Sequence, residues 1–288
     1  MSILKHFRRI PVQLTLSQFN EFILKHLPKT KRGPSCKISL FKIFNYILKF
    51  LHTGCQWMNL PIDMDPTTGK PEIHYTRIFR LFQYWLKNEV FEKIFEHSVA
   101  FLHDLDLLDL SILHGDGTSS MAKKGGDDLG FSGDKHFKGE KTVAFVDRNC
   151  NVIAPFTKAP GNRHENRLFP NAFYHLKRII KKIGANLTGS VASLDSAYDA
   201  SNTRKMIFNA GMIPNIKENI RNRKQAKRGR KRLYDEKIFQ ERFDTVERVF
   251  AWEDKFKRLL MRFERISRHH FGLKLLAYTM INLRHFCS

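Results

Sequence analysis

Apolar residues recur at helical spacing through the first hundred positions of the chain. The clearest case is residues 40–51, whose apolar face carries Leu40, Ile43, Phe44, Ile47, Leu48 and Leu51. Ser39 stands where a helix N-cap is expected, and Gly54 stands where the helix should end. The same period recurs in residues 16–27, 74–86 and 90–102. The pattern predicts a small all-helical domain over residues 1–105, with its Trp and Phe side chains in the core.

Beyond residue 105 the pattern changes to short apolar runs separated by turns. Predicted strands lie within residues 108–120, where the strand ends in a turn, and within residues 141–149, 150–159, 190–199 and 212–219. Predicted helices occupy residues 166–186, 203–211 and, as one long helix, 244–266. Strands that alternate with helices in this way are typical of a layered α/β fold with a mixed sheet. We therefore expect a second, α/β domain over residues 106–288.

The charge of the chain indicates its class of partner. Among 288 residues, 50 are basic and 28 acidic, which gives a formal net charge of +22. A foldable chain with so large a positive charge suits a polyanion: nucleic acid is the first candidate and an anionic membrane surface the second. With 42% hydrophobic residues, including 25 Phe, the chain does not resemble a disordered basic tail. We find no apolar run long enough for a membrane span and recognise no secretory signal.

The cysteines indicate a reducing compartment. Cys36, Cys55, Cys150 and Cys287 are scattered along the chain, without the short paired spacing of a zinc site or a disulfide framework. We therefore expect reduced thiols and a cytoplasmic protein.

The strongest local concentration of charge is residues 217–232, here called the basic segment. Its sequence, KENIRNRKQAKRGRKR, has nine basic residues in sixteen and a single acidic one. Two interpretations stay open. The segment is either a solvated charge run or a path for a DNA backbone, along which basic side chains contact phosphates and release counterions.

Three carboxylates carry the chemical hypothesis. Asp116 and Asp195 each lie at the end of a predicted strand, and Glu247 lies in the first turn of the last predicted helix. Strand ends and helix starts meet at one edge of an α/β sheet, so these side chains can converge there. Converging carboxylates repel one another unless a cation neutralises them, and oxygen ligands suit Mg²⁺ or Mn²⁺. A pair of such ions can activate a water or a 3′-hydroxyl and stabilise the leaving oxygen of a phosphodiester.

The blocks around these carboxylates resemble the DDE transposases of bacterial insertion sequences, in the insertion-sequence-four/five-like group. The first two blocks are Asp116-Gly117-Thr118 and residues 194–199, LDSAYD. The last block matches at Arg242, Val246, Glu247, Arg248, Phe250, Trp252, Phe256, Arg258, Leu259, Arg262 and Glu264. The helical part matches at Gly54, Trp57, Leu60, Pro61 and Trp85. Four blocks in order cover the chain from about residue 40 to Phe286.

The resemblance implies a ribonuclease H-like catalytic domain in which Asp116, Asp195 and Glu247 are catalytic and bind the metal, with two ions of Mg²⁺ or Mn²⁺ expected. The family's signature expects Arg four residues before the Glu and Lys seven residues after it. Those positions are Phe243 and Asp254 here, and Arg242 and Lys255 are each one residue away. The candidate DNA-binding residues are Arg228, Arg230, Lys231, Arg232, Arg242, Arg248 and Lys255.

Glu165, in the block GNRHE, has two interpretations. It is either a further carboxylate beside the metal site or an ordinary acidic residue at a helix N-terminus.

By the same resemblance, the expected activity is DNA transposition. The protein would hydrolyse a phosphodiester at each element end and use the freed 3′-hydroxyl to attack target DNA. Its partners would be terminal inverted repeats and target DNA in the bacterial nucleoid, and a homodimer would hold both ends. Two alternatives stay open: a non-catalytic inverted-repeat-binding protein derived from a transposase, and a structure-specific nuclease of the same fold.

The DNA-path interpretation of the basic segment predicts a change in salt dependence. Each neutralised phosphate contributes roughly −0.9 to the slope of log K against log salt concentration on duplex DNA. We expect the combined change of Arg228, Arg230, Lys231 and Arg232 to Ala to reduce the magnitude of this slope by about 2–5. A salt titration on element-end and random duplexes measures it. An equal loss of affinity for both duplexes indicates phosphate contacts. An unchanged slope indicates that the segment is a solvated charge run that does not contact DNA.

Overall fold

The computed structural model describes residues 8–28, 38–133, 135–154, 157–219 and 232–287. The chain divides into two compact units. The first comprises residues 1–98 together with residues 253–288, and the second comprises residues 99–252. The division predicted from the sequence, at residue 105, differs in one respect, because it assigns residues 253–288 to the catalytic domain. In the described residues no helix is long and apolar enough to cross a membrane.

Four helices of the first unit begin close to their predicted positions, whereas the fifth, the last in the chain, was not predicted. They are α1 (Leu16–Phe22), α2 (Leu40–Thr53), α3 (Tyr75–Lys87), α4 (Val90–Asp104), which continues into the second unit, and α9 (Ser267–Leu283). As expected, the Ser39 hydroxyl caps α2, and Gly54 ends it with a φ of 71°. Aromatic rings fill the core: Trp57 stacks on Phe50 with ring centroids 3.7 Å apart and lies 5.5 Å from Phe82.

A mixed sheet forms the second unit. Its strands are β1 (Ile112–Met121), β2 (Gly130–Ser132), β3 (Phe137–Asp147), β4 (Thr157–Pro160), β5 (Val191–Leu194) and β6 (Ile213–Ile216). The order is β2-β3-β1-β5-β6, with β4 paired to β3. Strand β1 runs antiparallel to β3 and parallel to β5, which in turn runs parallel to β6. The helices are α5 (Glu165–Lys182), α6 (Ser201–Asn209), α7 (Glu236–Gln240) and α8 (Val246–Glu253). The expected α/β class with a mixed sheet is confirmed.

The register of β1 against β5 determines where the candidate carboxylates lie. The last parallel pair joins Gly115 to Leu194. Asp116 and Asp195 are the next residues on each strand, so they follow the same rung at the carboxyl end of the parallel pair. The expectation that β1 ends at Asp116 is wrong, because this strand continues to Met121 against its antiparallel partner β3.

The single long helix predicted over residues 244–266 is also wrong. Helix α8 ends at Glu253, and turns connect it to α9. The backbone N–H groups of Lys257 and Arg258 donate to the carbonyls of His52 and Leu51 at the end of α2. These bonds, made within the first unit, replace the helical hydrogen bonds that the apolar periodicity predicted.

A buried charge cluster fixes α9 to the residue that ends α8. The Glu253 carboxylate accepts a hydrogen bond from Lys274 Nζ at 2.7 Å and another from the Tyr278 hydroxyl. All three side chains are buried. Each charge in this cluster depends on its partner, because an unpaired charge in a protein interior is strongly unfavourable.

We expect Lys274→Met to lower the free energy of unfolding by about 3–5 kcal/mol, since it leaves the Glu253 carboxylate buried without its cation. The double variant Glu253→Gln/Lys274→Met should recover much of that loss. Urea unfolding of the three proteins measures the difference. A single variant as stable as the wild type would show that the pair contributes nothing to the fold.

Candidate active site

Three carboxylates meet at the sheet edge of the second unit, and we refer to them as the acidic cluster. Asp116 comes from β1, Asp195 directly follows β5, and Glu165 is the first residue of α5. One oxygen from each lies within 4.8 Å of the others, and among the described residues this is the group with the donor set of a metal site. The sequence placed Asp116 and Asp195 together correctly and left the role of Glu165 open. It also predicted Glu247 beside the two aspartates, but the third carboxylate within this distance is Glu165.

Local hydrogen bonds hold the two aspartates in place. Asp116 Oδ1 accepts from the backbone N–H of Gly117, and Asp195 Oδ1 accepts from that of Ala197, both at 2.8 Å. Each aspartate has its second oxygen outside these backbone bonds. The backbone therefore positions both aspartates and leaves one oxygen of each to side-chain or ligand contacts.

The close packing of Glu165 against β1 explains why the residue after Asp116 is a glycine, Gly117. A Cβ atom built there would lie 2.7 Å from Cδ of Glu165, closer than real Cβ contacts allow. The glycine therefore makes room for the Glu165 carboxylate beside β1. Lys141 Nζ, on the adjacent strand β3, lies 3.1 Å from Glu165 Oε1 and holds that side chain against the sheet.

Burial makes ionisation of the two aspartates unfavourable. It raises the pKa of Asp116 to about 7, although the Arg242 guanidinium acts in the opposite direction. Burial also raises the pKa of Asp195, and the charge of Glu165 adds to that effect. Carboxylates with raised pKa values in a shared site are typical of functional sites, where a bound cation restores the ionised form.

Arg242 supplies positive charge to the site. Its Nη2 atom contacts Asp116 Oδ2 and lies 3.7 Å from Glu247 Oε1. The guanidinium packs over the Phe239 ring, with 5.3 Å between its carbon and the ring centroid. Glu247 is thus linked to the acidic cluster through Arg242, and its side chain is 46% exposed.

The turn that carries Arg242 is anchored on both sides. Residues 241–244 form a 3₁₀ turn between α7 and α8. Glu241 accepts two hydrogen bonds from the Arg148 guanidinium, at 2.9 and 2.8 Å, and the Cys150 thiol donates to the Asp244 carbonyl. These contacts tie the turn to the loop after β3. The position of Arg242 is therefore fixed by the fold.

Tyr198 is a buried polar residue that sequence-based analysis missed as part of the site. Its ring lies edge-on to Phe169, with centroids 5.9 Å apart, and its hydroxyl has no hydrogen-bond partner among the described residues. Burial raises its pKa well above the usual value, and the charges of Glu165, Asp116 and Asp195 add to the effect. The hydroxyl is thus a neutral, unused hydrogen-bond donor close to the three carboxylates.

The candidate DNA-binding residues have different environments. Arg232 donates to Asp199 at 2.6 Å, so its charge is compensated within the fold. Arg248 pairs with Asp244 at 2.8 Å, and Arg242 lies inside the site. Lys255 is exposed on the first unit. Arg228, Arg230 and Lys231 lie outside the described residues.

The sequence of the second unit agrees with this geometry. Residues 107–282, more than half of the chain, match the family described as Transposase DDE domain. The chain belongs to this family. No curated protein matches the chain in sequence.

The solved structures similar to this chain include complexes of the Mos1 transposase. The paired-end complex with the left transposon end is 11% identical with a TM-score of 0.28, covering 65% of this chain and 61% of its own. The pre-cleavage Mos1 transpososome is 11% identical with a TM-score of 0.26, covering 88% and 80%. This chain thus spans about three fifths of the first of these proteins. Likenesses this distant carry no argument about activity.

The raised pKa of Asp116 predicts how stability depends on pH. Between the unfolded pKa of about 4 and the folded pKa of about 7, the folded protein holds a proton that the unfolded chain has released. Stability without divalent ions should therefore fall as pH rises from 4 to 7, by up to about 4 kcal/mol from this group. Urea unfolding in EDTA at a series of pH values measures the fall.

Asp116→Asn is the control for that experiment. It should lack this part of the fall, since an amide does not titrate. Adding Mn²⁺ at pH 8 should restore stability to the wild type and have a much smaller effect on the variant. A wild-type profile parallel to that of the variant would contradict the account.

Proposed function

We propose that this protein is a metal-dependent DNA transposase that cuts DNA at element ends and joins the cut end to target DNA. The observation that carries the proposal is the acidic cluster. Its oxygen donors, from the buried Asp116 and the half-buried Glu165 and Asp195, lie within 4.8 Å of one another in a member of the Transposase DDE domain family. In the first step a water oxygen bonds to phosphorus as the bond to the 3′-oxygen breaks. In the second, the freed 3′-hydroxyl attacks a target phosphodiester and displaces its 3′-oxygen.

The residues of the cluster fit a divalent cation. Carboxylate oxygens are the ligands that Mg²⁺ and Mn²⁺ prefer, and burial disfavours their negative charge unless a cation is present. Asp116, Asp195 and a glutamate would hold one or two metal ions. When bound, such an ion activates the attacking oxygen and stabilises the leaving one. The unpartnered Tyr198 hydroxyl supports the proposal, because it is a donor available to a metal-bound ligand.

Two glutamates are candidates for the third carboxylate ligand. The family resemblance assigns it to Glu247, whose carboxylate is joined to Asp116 through Arg242. The geometry also brings Glu165 to the two aspartates. In a site with two ions, Asp116, Asp195 and both glutamates would together supply the carboxylate oxygens that hold the metal.

Arg242 is proposed to occupy the site in competition with the metal. Its guanidinium contacts Asp116 directly, so a metal cation and Arg242 would compete for the same carboxylate. The arginine thereby keeps the acidic cluster stable in the absence of metal. When DNA is present, the same guanidinium is available to a phosphate oxygen, a group that arginine binds readily.

The proposed partner is DNA, consistent with the net charge of +22. Terminal inverted repeats and target DNA are the substrates, and a homodimer is the proposed working unit because two element ends are joined together. The proposal of phosphate contacts by the basic segment rests on Arg228, Arg230 and Lys231, since Arg232 is paired with Asp199.

Strand cleavage in the presence of Mg²⁺ or Mn²⁺ tests the activity. Asp116→Asn and Asp195→Asn should each abolish cutting of element-end DNA, and EDTA should do the same, while binding stays within a few-fold. Glu247→Gln should also abolish cutting if it completes a metal site. Glu165→Gln should lower the rate strongly and raise the Mn²⁺ concentration needed for half-maximal cutting.

The two glutamate variants separate the assignments. A Glu247→Gln variant that cuts at nearly the wild-type rate would remove Glu247 from the metal site and leave Glu165 as the third ligand. The reverse result would make Glu165 a structural residue. Glu236→Gln, at an exposed glutamate on α7, is the matched control and should cut normally. Uncut DNA with wild-type protein that binds it tightly would favour the non-catalytic alternative.

A further inference from the structure

Helix α3 presents a continuous basic stripe to solvent. Arg77, Arg80, Tyr84 and Lys87, here called the α3 stripe, are all exposed and are spaced three, four and three residues apart. This spacing places them on one face of the helix. The opposite face is buried through Ile78, Phe82, Trp85 and Leu86. The helix is therefore amphipathic, and its polar face consists of two guanidinium groups, a phenol and an ammonium group.

The charge of the stripe is uncompensated. Helix α3 contains no Asp or Glu. Within the part of the chain that the structure describes, no carboxylate forms an ion pair with Arg77, Arg80 or Lys87, and no side-chain hydrogen bond fixes them. Three positive charges on thirteen residues without a counter-ion create a local positive potential that attracts an anionic partner.

The other helices described in this unit lack such a surface. On α2, Lys42 is paired with Glu72 at 2.6 Å, and Lys49 donates to the Pro61 carbonyl at 2.9 Å. On α4, the exposed Lys93 donates to the Asn88 carbonyl and lies between two glutamates in sequence. Helix α1 has no basic residue, and α9 is almost entirely buried. By this comparison, α3 is the helix with free basic groups to offer.

The scaffold holds α3 rigidly. The Trp85 ring packs on Phe44 of α2, with centroids 6.2 Å apart, and Arg268 Nη2 donates to the Leu86 carbonyl at 2.6 Å. At the other end, the His74 side chain caps the first turn by accepting from the Thr76 N–H. A helix fixed at both ends loses little conformational entropy on binding.

We propose that α3 is the helix that enters the major groove of element-end DNA and reads its sequence. The inference rests on the proposed function, which makes DNA the partner. A major groove admits one α-helix, and an arginine there can bind the O6 and N7 atoms of a guanine. Because residues near the start of a recognition helix reach base edges, Arg77 and Arg80 read bases. Lys87, two to three turns further along, contacts a phosphate.

Binding measurements on the full-length protein in EDTA test this assignment without cleavage. The probes are duplexes from the DNA flanking the reading frame and scrambled duplexes of the same composition. Arg77→Ala/Arg80→Ala should weaken binding to the flanking duplex roughly 10- to 100-fold and have a much smaller effect on the scrambled one. Lys87→Ala should weaken both alike and reduce the salt slope by about 1.

The matched control is Lys25→Ala/Lys93→Ala, which removes two exposed positive charges from the same unit outside α3. It should leave the preference for the flanking duplex unchanged. Circular dichroism should show that every variant is folded, since all the changed side chains are exposed.

Unchanged affinity of the Arg77/Arg80 variant, or an equal loss on both duplexes, would overturn the inference. A wild-type protein with no preference for the flanking duplex would overturn it as well. The outcome is separable from the proposed chemistry. Suppose that the wild type binds the flanking duplex specifically but never cuts DNA, and that the Arg77/Arg80 variant loses this binding. That result would support the role of α3 and refute the cleavage activity.

Discussion

The repulsion among Asp116, Glu165 and Asp195 is the constraint on which the rest of the site depends. Their oxygens lie within 4.8 Å of one another at a sheet edge where Asp116 is buried and the other two are half-buried, so water screens their mutual repulsion only in part. A fold held together only by its apolar core would separate them. The cluster persists because backbone N–H groups, Lys141 and Arg242 each offset part of the repulsion.

The same constraint explains several features of the second unit. The β1–β5 register ends on one rung, so the two aspartates follow side by side. Gly117 leaves the space into which Glu165 projects. The anchored turn around residue 242 brings a guanidinium to the carboxylates. Because the carboxylates need the Arg242 guanidinium to offset their charge, they also suit a divalent metal cation. This requirement links the fold to the proposed metal-dependent chemistry.

Sequence reasoning worked where local signals are strong. The caps at Ser39 and Gly54, the α/β class and the meeting of Asp116 with Asp195 follow from periodicity and strand ends. It failed where tertiary contacts decide: the carbonyls at the end of α2 take the N–H groups that a longer α8 would have used. Glu165 could not be assigned, because an acidic residue at a helix start has the same local appearance whether or not a sheet edge faces it.

Anomalous X-ray scattering from crystals grown with Mn²⁺ tests the central claim most directly. The account predicts a manganese peak bonded to oxygens of Asp116 and Asp195, with a glutamate oxygen completing the protein ligands and the Arg242 guanidinium displaced from Asp116. Arg242 still seated on Asp116 at saturating Mn²⁺, with no anomalous peak at the acidic cluster, would contradict it.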